Sequence, residues 1–187
     1  MKNGERGSNR REFLGYSAAL AATWLLPLPG GSATARSVIE KTIPASGERL
    51  PVIGMGTSRT FNAAGDSAAM ATLSEVLEAF FAHGGSLIDS SPMYGSSEQV
   101  LGELLPAVSR PGSLFAATKV WTDGRESGVR QMEQSRRLWG VERFDLMQIQ
   151  NLRVWRVHYE TLREMKAAGQ IRYIGITTSH GRDHAEL

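Results

Sequence analysis

The 187-residue sequence contains no cysteine, which excludes disulfides, thiolate nucleophiles and thiolate metal ligands. Its net charge of +2 and its lack of a Lys/Arg run with interleaved aromatics give no basis for a nucleic-acid partner. No G-x-G-x-x-G motif follows a predicted strand, which argues against an open dinucleotide-binding sheet. The histidine pair at helical spacing, His180 and His184, has no carboxylate in the metalloprotease arrangement, so we expect no metal site.

A hydrophobic run long enough to span a bilayer is missing as well. The apolar stretch at 13–26 is 14 residues long and follows Arg10-Arg11, a pattern that resembles the twin-arginine export signal of bacteria. Residues 33–35, Ala-Thr-Ala, fit a signal-peptidase site. We therefore expect a signal peptide at 1–35, export to the periplasm by the twin-arginine machinery, and no stable membrane span. An uncleaved anchor or a disordered tail is the alternative.

Short apolar runs recur about every thirty residues after this segment, with helical patterns between them. The runs are residues 50–56, 86–90, 114–119, 144–150 and 172–176. Such alternation indicates a parallel sheet covered by helices, in a (β/α)8 barrel or an open doubly wound fold. The missing dinucleotide motif favours the barrel. We therefore predict that residues 36–187 form an incomplete (β/α)8 TIM-type barrel of about five βα units. Either the chain is a fragment or a truncated gene product, or something else covers the open edge of the sheet.

Three of the intervening segments carry specific helix signals. Apolar stripes are formed by Leu73, Val76, Leu77 and Phe80 before Gly84, and by Tyr159, Leu162 and Met165 before Gly169. Ser96 and Gln99 fit an S-x-x-Q capping box, which predicts the start of a helix. A weaker apolar face predicts a further helix between Val129 and Trp139.

Polar residues stand where three predicted strands end: Asp89, Lys119 and Gln150, with Tyr94 in the loop after Asp89. In a βα barrel the reactive groups lie at these carboxyl ends. A phenol near pKa 10 is a poor proton donor at neutral pH, but an ammonium about 4 Å away supplies on the order of 4 kcal/mol towards the phenolate. The spacing thus predicts a general acid, Tyr94, beside Lys119, whose charge Asp89 balances. A structural ion pair with a packed tyrosine, or a Schiff-base lysine, remains open from spacing alone.

Several segments, in the same order, resemble the aldo/keto reductases over about residues 43–179. They read LPVIGMGT, GGSLIDSSPMYGSSEQVLGELL, ATKVW, FDLMQIQNL and LREMKAAGQIRYIGIT. The resemblance implies a (β/α)8 barrel that uses NADP(H) or NAD(H) to reduce a small-molecule aldehyde or ketone. It also implies a catalytic set of Asp, Tyr, Lys and His, of which the first three match Asp89, Tyr94 and Lys119.

The chain departs from this pattern at the fourth catalytic position, where Gln150 replaces histidine. An amide donates a hydrogen bond to a carbonyl oxygen but does not relay a proton. The resemblance places Thr57 and Ser58 beside the nicotinamide, and it makes Asn151 and Thr177 further cofactor neighbours. The family's late loops, which hold the adenosine phosphate, have no counterpart here. The alternative function is therefore a catalytically silent remnant or a binding protein of the same fold.

Overall fold

A computed structural model of the chain describes residues 38–109, 114–179 and 185. The predicted signal peptide, His180 and His184 lie outside these residues. Within them, no helix combines the length and the apolar character needed to cross a bilayer. The same described part of the chain contains no cluster of three or more His, Asp or Glu side chains arranged to hold a metal ion.

Five parallel strands form the central sheet, in the order in which they follow along the chain. They are β3 (Met55–Gly56), β4 (Leu87–Asp89), β5 (Phe115–Val120), β6 (Phe144–Gln150) and β7 (Ile171–Thr177). All six residues of β5 are buried, as expected for a central strand of a parallel sheet that is covered on both faces. This strand order confirms the predicted architecture of an incomplete (β/α)8 barrel.

Four helices connect these strands. They are α1 (Ser67–Ala82), α2 (Ser97–Leu104), α3 (Arg125–Trp139) and α4 (Trp155–Ala167). Their apolar side chains pack with Ile88, Val120 and Ile149, which project from the outer face of the sheet. Because successive strand residues point to opposite faces, Asp89, Lys119 and Gln150 lie on the inner face, away from this core.

The first predicted strand, residues 50–56, is wrong as a single element. Its first part belongs to β2 (Arg49–Pro51), which pairs antiparallel with β1 (Glu40–Thr42) in a separate hairpin. Only Met55 and Gly56 join the parallel sheet. The hairpin packs at the amino ends of the sheet strands, where Glu48 forms an ion pair with Arg172 of β7. The hydroxyl of Tyr173 donates to the same carboxylate at 2.6 Å, and this bond, with Arg172, lowers the pKa of Glu48.

The predicted helices are present, but two details of them differ. The buried stripe of α1 is Leu73, Leu77 and Phe81, whereas Val76 is 42% exposed. The Ser96–Gln99 capping box does not form, because the Ser96 hydroxyl donates to Asn62 Oδ1 at 3.0 Å. Gln99 instead donates to Glu103 within α2. Tertiary contacts therefore override the local pattern at both places.

Candidate active site

Lys119 and Asp89 form an ion pair at the carboxyl ends of β4 and β5. Lys119 Nζ lies 2.5 Å from Asp89 Oδ2, and it also donates to the Ser90 carbonyl oxygen at 2.8 Å. The lysine is only 4% exposed. Burial removes most of the hydration of an ammonium group, so a cation at this depth requires such partners to replace the lost water. The two strand ends thus hold a positive charge at a fixed place.

Tyr94 lies next to this charge. Its ring centre is 5.2 Å from Lys119 Nζ. The loop that carries it is tied down by Ser97, whose hydroxyl donates to the Tyr94 carbonyl oxygen at 2.7 Å. The following Gly95 has a φ of +62°, and a Cβ there would lie 2.3 Å from Asn62 Oδ1, so this turn requires glycine. The structure therefore brings the three side chains predicted from spacing into one cluster.

Gln148 is a member of this cluster that we did not predict. Its Nε2 donates to Asp89 Oδ1 at 2.7 Å, so each carboxylate oxygen of Asp89 has one donor. Gln148 reaches Asp89 beside Gly175 of β7, where a Cβ would lie 2.9 Å from Gln148 Cγ. The available signal was its position two residues before Gln150, on the same face of β6.

Gln150 is buried at the end of β6 and contacts the loop that leads to Tyr94. Its Oε1 accepts a hydrogen bond from Ser91 Oγ at 2.6 Å. Its Nε2 donates to Met93 Sδ. The amide therefore presents its N–H group towards the residue that precedes Tyr94, on the same side of the sheet as Lys119.

The four residues predicted to lie near a cofactor have different surroundings. Thr57 is fully buried, and its hydroxyl donates towards the Asp89 carbonyl oxygen at 3.1 Å and Ser90 Oγ at 2.8 Å. A direct contact with a cofactor would have to replace these bonds. Ser58, the next residue, is exposed. Its role and that of Thr57 stay predictions.

Asn151 and Thr177 lie at the carboxyl ends of neighbouring strands, since Gln150 pairs in register with Thr177. Asn151 Oδ1 accepts hydrogen bonds from Ser179 N at 2.8 Å and Ser179 Oγ at 2.9 Å. The loop after β6 has positive φ angles at Asn151, Leu152 and Val154, which L-residues adopt only at a cost. The Asn151–Ser179 contact is one of the interactions that holds this strained loop against β7.

A buried glutamate, Glu98, lies between α2 and the outer face of the sheet, on the opposite side of β5 from the cluster. Glu98 of α2 is 3% exposed and accepts from Thr118 Oγ at 2.6 Å and Ser135 Oγ at 2.8 Å. Burial raises the pKa of Glu98, although these hydrogen bonds and the charge of Lys119 oppose the effect. Glu98 thus joins the helix that follows the Tyr94 loop to the residue that precedes Lys119.

This raised pKa gives a pH dependence that can be measured. A carboxyl whose pKa is higher in the folded protein stabilises the fold below its unfolded pKa, and it loses that contribution as pH rises through the folded pKa. We expect Glu98→Gln to remove this decline. Both proteins should be unfolded with urea at a series of pH values from about 4 upwards. The unfolding free energy of the variant minus that of the wild type should increase as the pH rises.

The matched control is Glu103→Gln, since Glu103 is an exposed residue of the same helix. It should follow the wild-type pH profile. If Glu98→Gln also follows that profile, the raised pKa of Glu98 is refuted.

The sequence and the fold of the chain match those of known proteins. The sequence profile of the aldo/keto reductase family matches residues 52–186. A sequence comparison with curated proteins found no match. A thermostable aldo-keto reductase solved with the inhibitor epalrestat superimposes with a TM-score of 0.67 at 24% identity, over 80% of this chain and 57% of its own.

Two further solved structures are similar. An aldo/keto reductase from Brucella melitensis has a TM-score of 0.64 at 22% identity, over 80% of this chain and 57% of its own. An aldo-keto reductase from Klebsiella pneumoniae, in complex with NADPH, has a TM-score of 0.63 at 23% identity, over 78% of this chain and 52% of its own. The chain thus spans little more than half the length of these structures, and the likeness establishes the fold.

Proposed function

The chain belongs to the aldo/keto reductase family, and we therefore propose that it reduces an aldehyde or ketone with NADPH or NADH. The observation that carries the proposal is the cluster of Asp89, Lys119 and Tyr94. These side chains come from two strand ends and one loop, and they place a phenol beside a buried cation.

The electrostatics of the cluster suit proton donation. The ammonium of Lys119 lies 5.2 Å from the centre of the Tyr94 ring. In the proposed reaction its positive charge attracts the negative charge that develops on Tyr94 as the proton leaves. The Asp89 carboxylate holds the ammonium of Lys119 in place with one oxygen. Gln148 holds that carboxylate by donating a hydrogen bond to its other oxygen.

The proposed reaction balances with one carbonyl, one reduced nicotinamide and one proton. When bound, the cofactor would supply a hydride, which would carry two electrons to the carbonyl carbon. The π pair of the carbonyl moves onto its oxygen, and that oxygen takes the phenolic proton of Tyr94. The tyrosinate then regains a proton from solvent. Gln150 contributes an amide N–H donor that orients the carbonyl oxygen.

The chemistry of the nearby donor set fits the nicotinamide end of such a cofactor. A carboxamide needs both a donor and an acceptor, and Asn151 and Thr177 offer amide and hydroxyl groups at adjacent strand ends. Asn151 Oδ1 accepts from Ser179, and among the described residues no group accepts from the Asn151 amide hydrogens. We propose these two residues and Ser58 as the ones that hold the ring.

A Schiff-base reaction at Lys119 is less compatible with the geometry. Such chemistry needs a neutral, accessible amine. Lys119 is buried, and its Nζ is engaged in hydrogen bonds to both the Asp89 carboxylate and the Ser90 carbonyl oxygen, so it is not placed to attack a carbonyl carbon.

The test of the proposal is NADPH oxidation by the full chain with benzaldehyde and cyclohexanone as carbonyl probes. We expect consumption that depends on the carbonyl and yields one alcohol for each NADPH. Consumption no faster than in the protein-free blank with either cofactor would refute the reductase. Saturable NADPH binding without turnover would instead favour the binding protein of the same fold.

We also propose that the protein works in the periplasm after twin-arginine export. The support is the Arg10-Arg11 motif and the apolar stretch that follows it. Fractionation of bacteria that express the full chain should find it in the periplasm, and loss of the twin-arginine transporter should retain it in the cytoplasm. Unchanged distribution without that transporter would contradict the proposed route.

A further inference from the structure

Gln150 stands where the resemblance to the family implies histidine, and its amide group can face the substrate in two orientations. A primary amide has a donor end and an acceptor end, and these exchange when the group turns over. Only the donor end stabilises a carbonyl oxygen. Gln150 is therefore useful in the proposed reaction only if something in the site fixes which end faces the substrate.

Ser91 has the contacts needed to fix that direction. Its hydroxyl accepts a hydrogen bond from the backbone N–H of Met93 at 3.3 Å, and its own hydrogen goes to Gln150 Oε1 at 2.6 Å. Both Ser91 and Gln150 are buried, so water does not compete freely for these groups. The hydroxyl thus acts as a donor that selects the carbonyl end of the amide.

The other end of the amide agrees with this assignment. Gln150 Nε2 faces Met93 Sδ, and a thioether has lone pairs but no hydrogen to give. The reversed amide would set its oxygen against that sulfur. Two neighbours therefore favour the same orientation, with the N–H group directed towards Met93.

We propose that Ser91 is a positioning residue that orients the Gln150 amide so that its N–H group binds the substrate carbonyl oxygen. The inference rests on the proposed function. Met93 is 40% exposed, and its sulfur is a weak acceptor that a carbonyl oxygen replaces. Because the amide does not titrate, its help to the substrate is independent of pH where a histidine's would change.

Kinetics test this role through a coupled pair of variants. Ser91→Ala should lower kcat by about three- to tenfold, the factor by which one neutral hydrogen bond biases an orientation. In a Gln150→Leu background no amide remains to orient, so the same change should alter kcat by less than about twofold. Ser91→Thr keeps the hydroxyl and should restore most of the rate. The control is Ser135→Ala, which removes the hydroxyl of a buried serine that has no hydrogen bond to the amide. It should lower stability, and its effect on kcat should be the same with and without the Gln150 amide.

Nuclear magnetic resonance tests the orientation without turnover. In isotope-labelled full chain, the Gln150 side-chain amide hydrogens should show an Overhauser contact to the Met93 methyl group. Ser91→Ala should weaken that contact, and Ser135→Ala should keep it. An unchanged contact in Ser91→Ala, or an equal loss of rate in both backgrounds, would overturn the role of Ser91. If the wild type reduces no carbonyl, the proposed function fails while the resonance data still decide the orientation.

Discussion

Tyr94→Phe should reduce kcat by about 10²–10⁴-fold, which is the usual contribution of a positioned general acid. The variant removes one hydroxyl from a half-buried ring and leaves its loop contacts, which run through the backbone carbonyl, intact. Cofactor affinity and the urea midpoint should therefore remain close to wild type. Stopped-flow measurement of NADPH oxidation, together with NADPH titration by fluorescence, checks both parts of this result.

Tyr159→Phe is the matched control, because it removes the same hydroxyl from an exposed ring on α4. It should retain wild-type kcat. A Tyr94→Phe variant that also turns over within twofold of wild type would remove Tyr94 from the role of proton donor.

Lys119→Met should remove activity and destabilise the fold together. The change leaves the Asp89 carboxylate with Gln148 as its remaining donor. Breaking a buried pair from one side costs about 3–5 kcal/mol, and the 30% exposure of the Asp89 side chain places the expected loss at or below the lower end. We expect kcat to fall by at least about 10²-fold, because the charge that stabilises the phenolate is lost. Urea unfolding and steady-state kinetics measure the two effects.

A double variant separates these effects. Asp89→Asn with Lys119→Met removes both charges, so much of the lost stability should return while activity does not. Arg163→Met is the surface control, since the Arg163–Glu160 pair is 60% exposed on both sides and should change stability by less than about 1 kcal/mol. A double variant that regains turnover would show that the charged pair serves only the fold.

The sequence predicted the parallel strands and the Asp89–Lys119–Tyr94 cluster because both follow from strong periodic constraints. A strand end in a βα fold fixes the edge on which a polar residue lies, whatever its neighbours are. The stretch at 50–56 misled the prediction, since apolar content alone does not distinguish two short strands from one. The Pro-Ala-Ser-Gly turn at 44–47, which connects β1 and β2, was the available signal for the hairpin.

The contacts that refine the site depend on long-range packing and could not be read from local pattern. Ser96 matches a capping residue in its own segment, yet Asn62, more than thirty positions earlier, provides its partner. Gln148 and Ser91 acquire their roles only when β4 and β6 converge on the same edge, which brings Asp89 and Gln150 within their reach.

The transfer of a deuterium label from NADPH to the product alcohol is the most direct test of the proposed reductase. The full chain should be given benzaldehyde and NADPH that carries deuterium at both C4 positions of the dihydropyridine ring. We predict that the benzyl alcohol formed carries that deuterium on its carbinol carbon, one atom for each NADPH oxidised, while its hydroxyl hydrogen comes from solvent. Alcohol without the label on carbon, or no alcohol at all, would contradict a carbonyl reductase built on Tyr94 and Lys119.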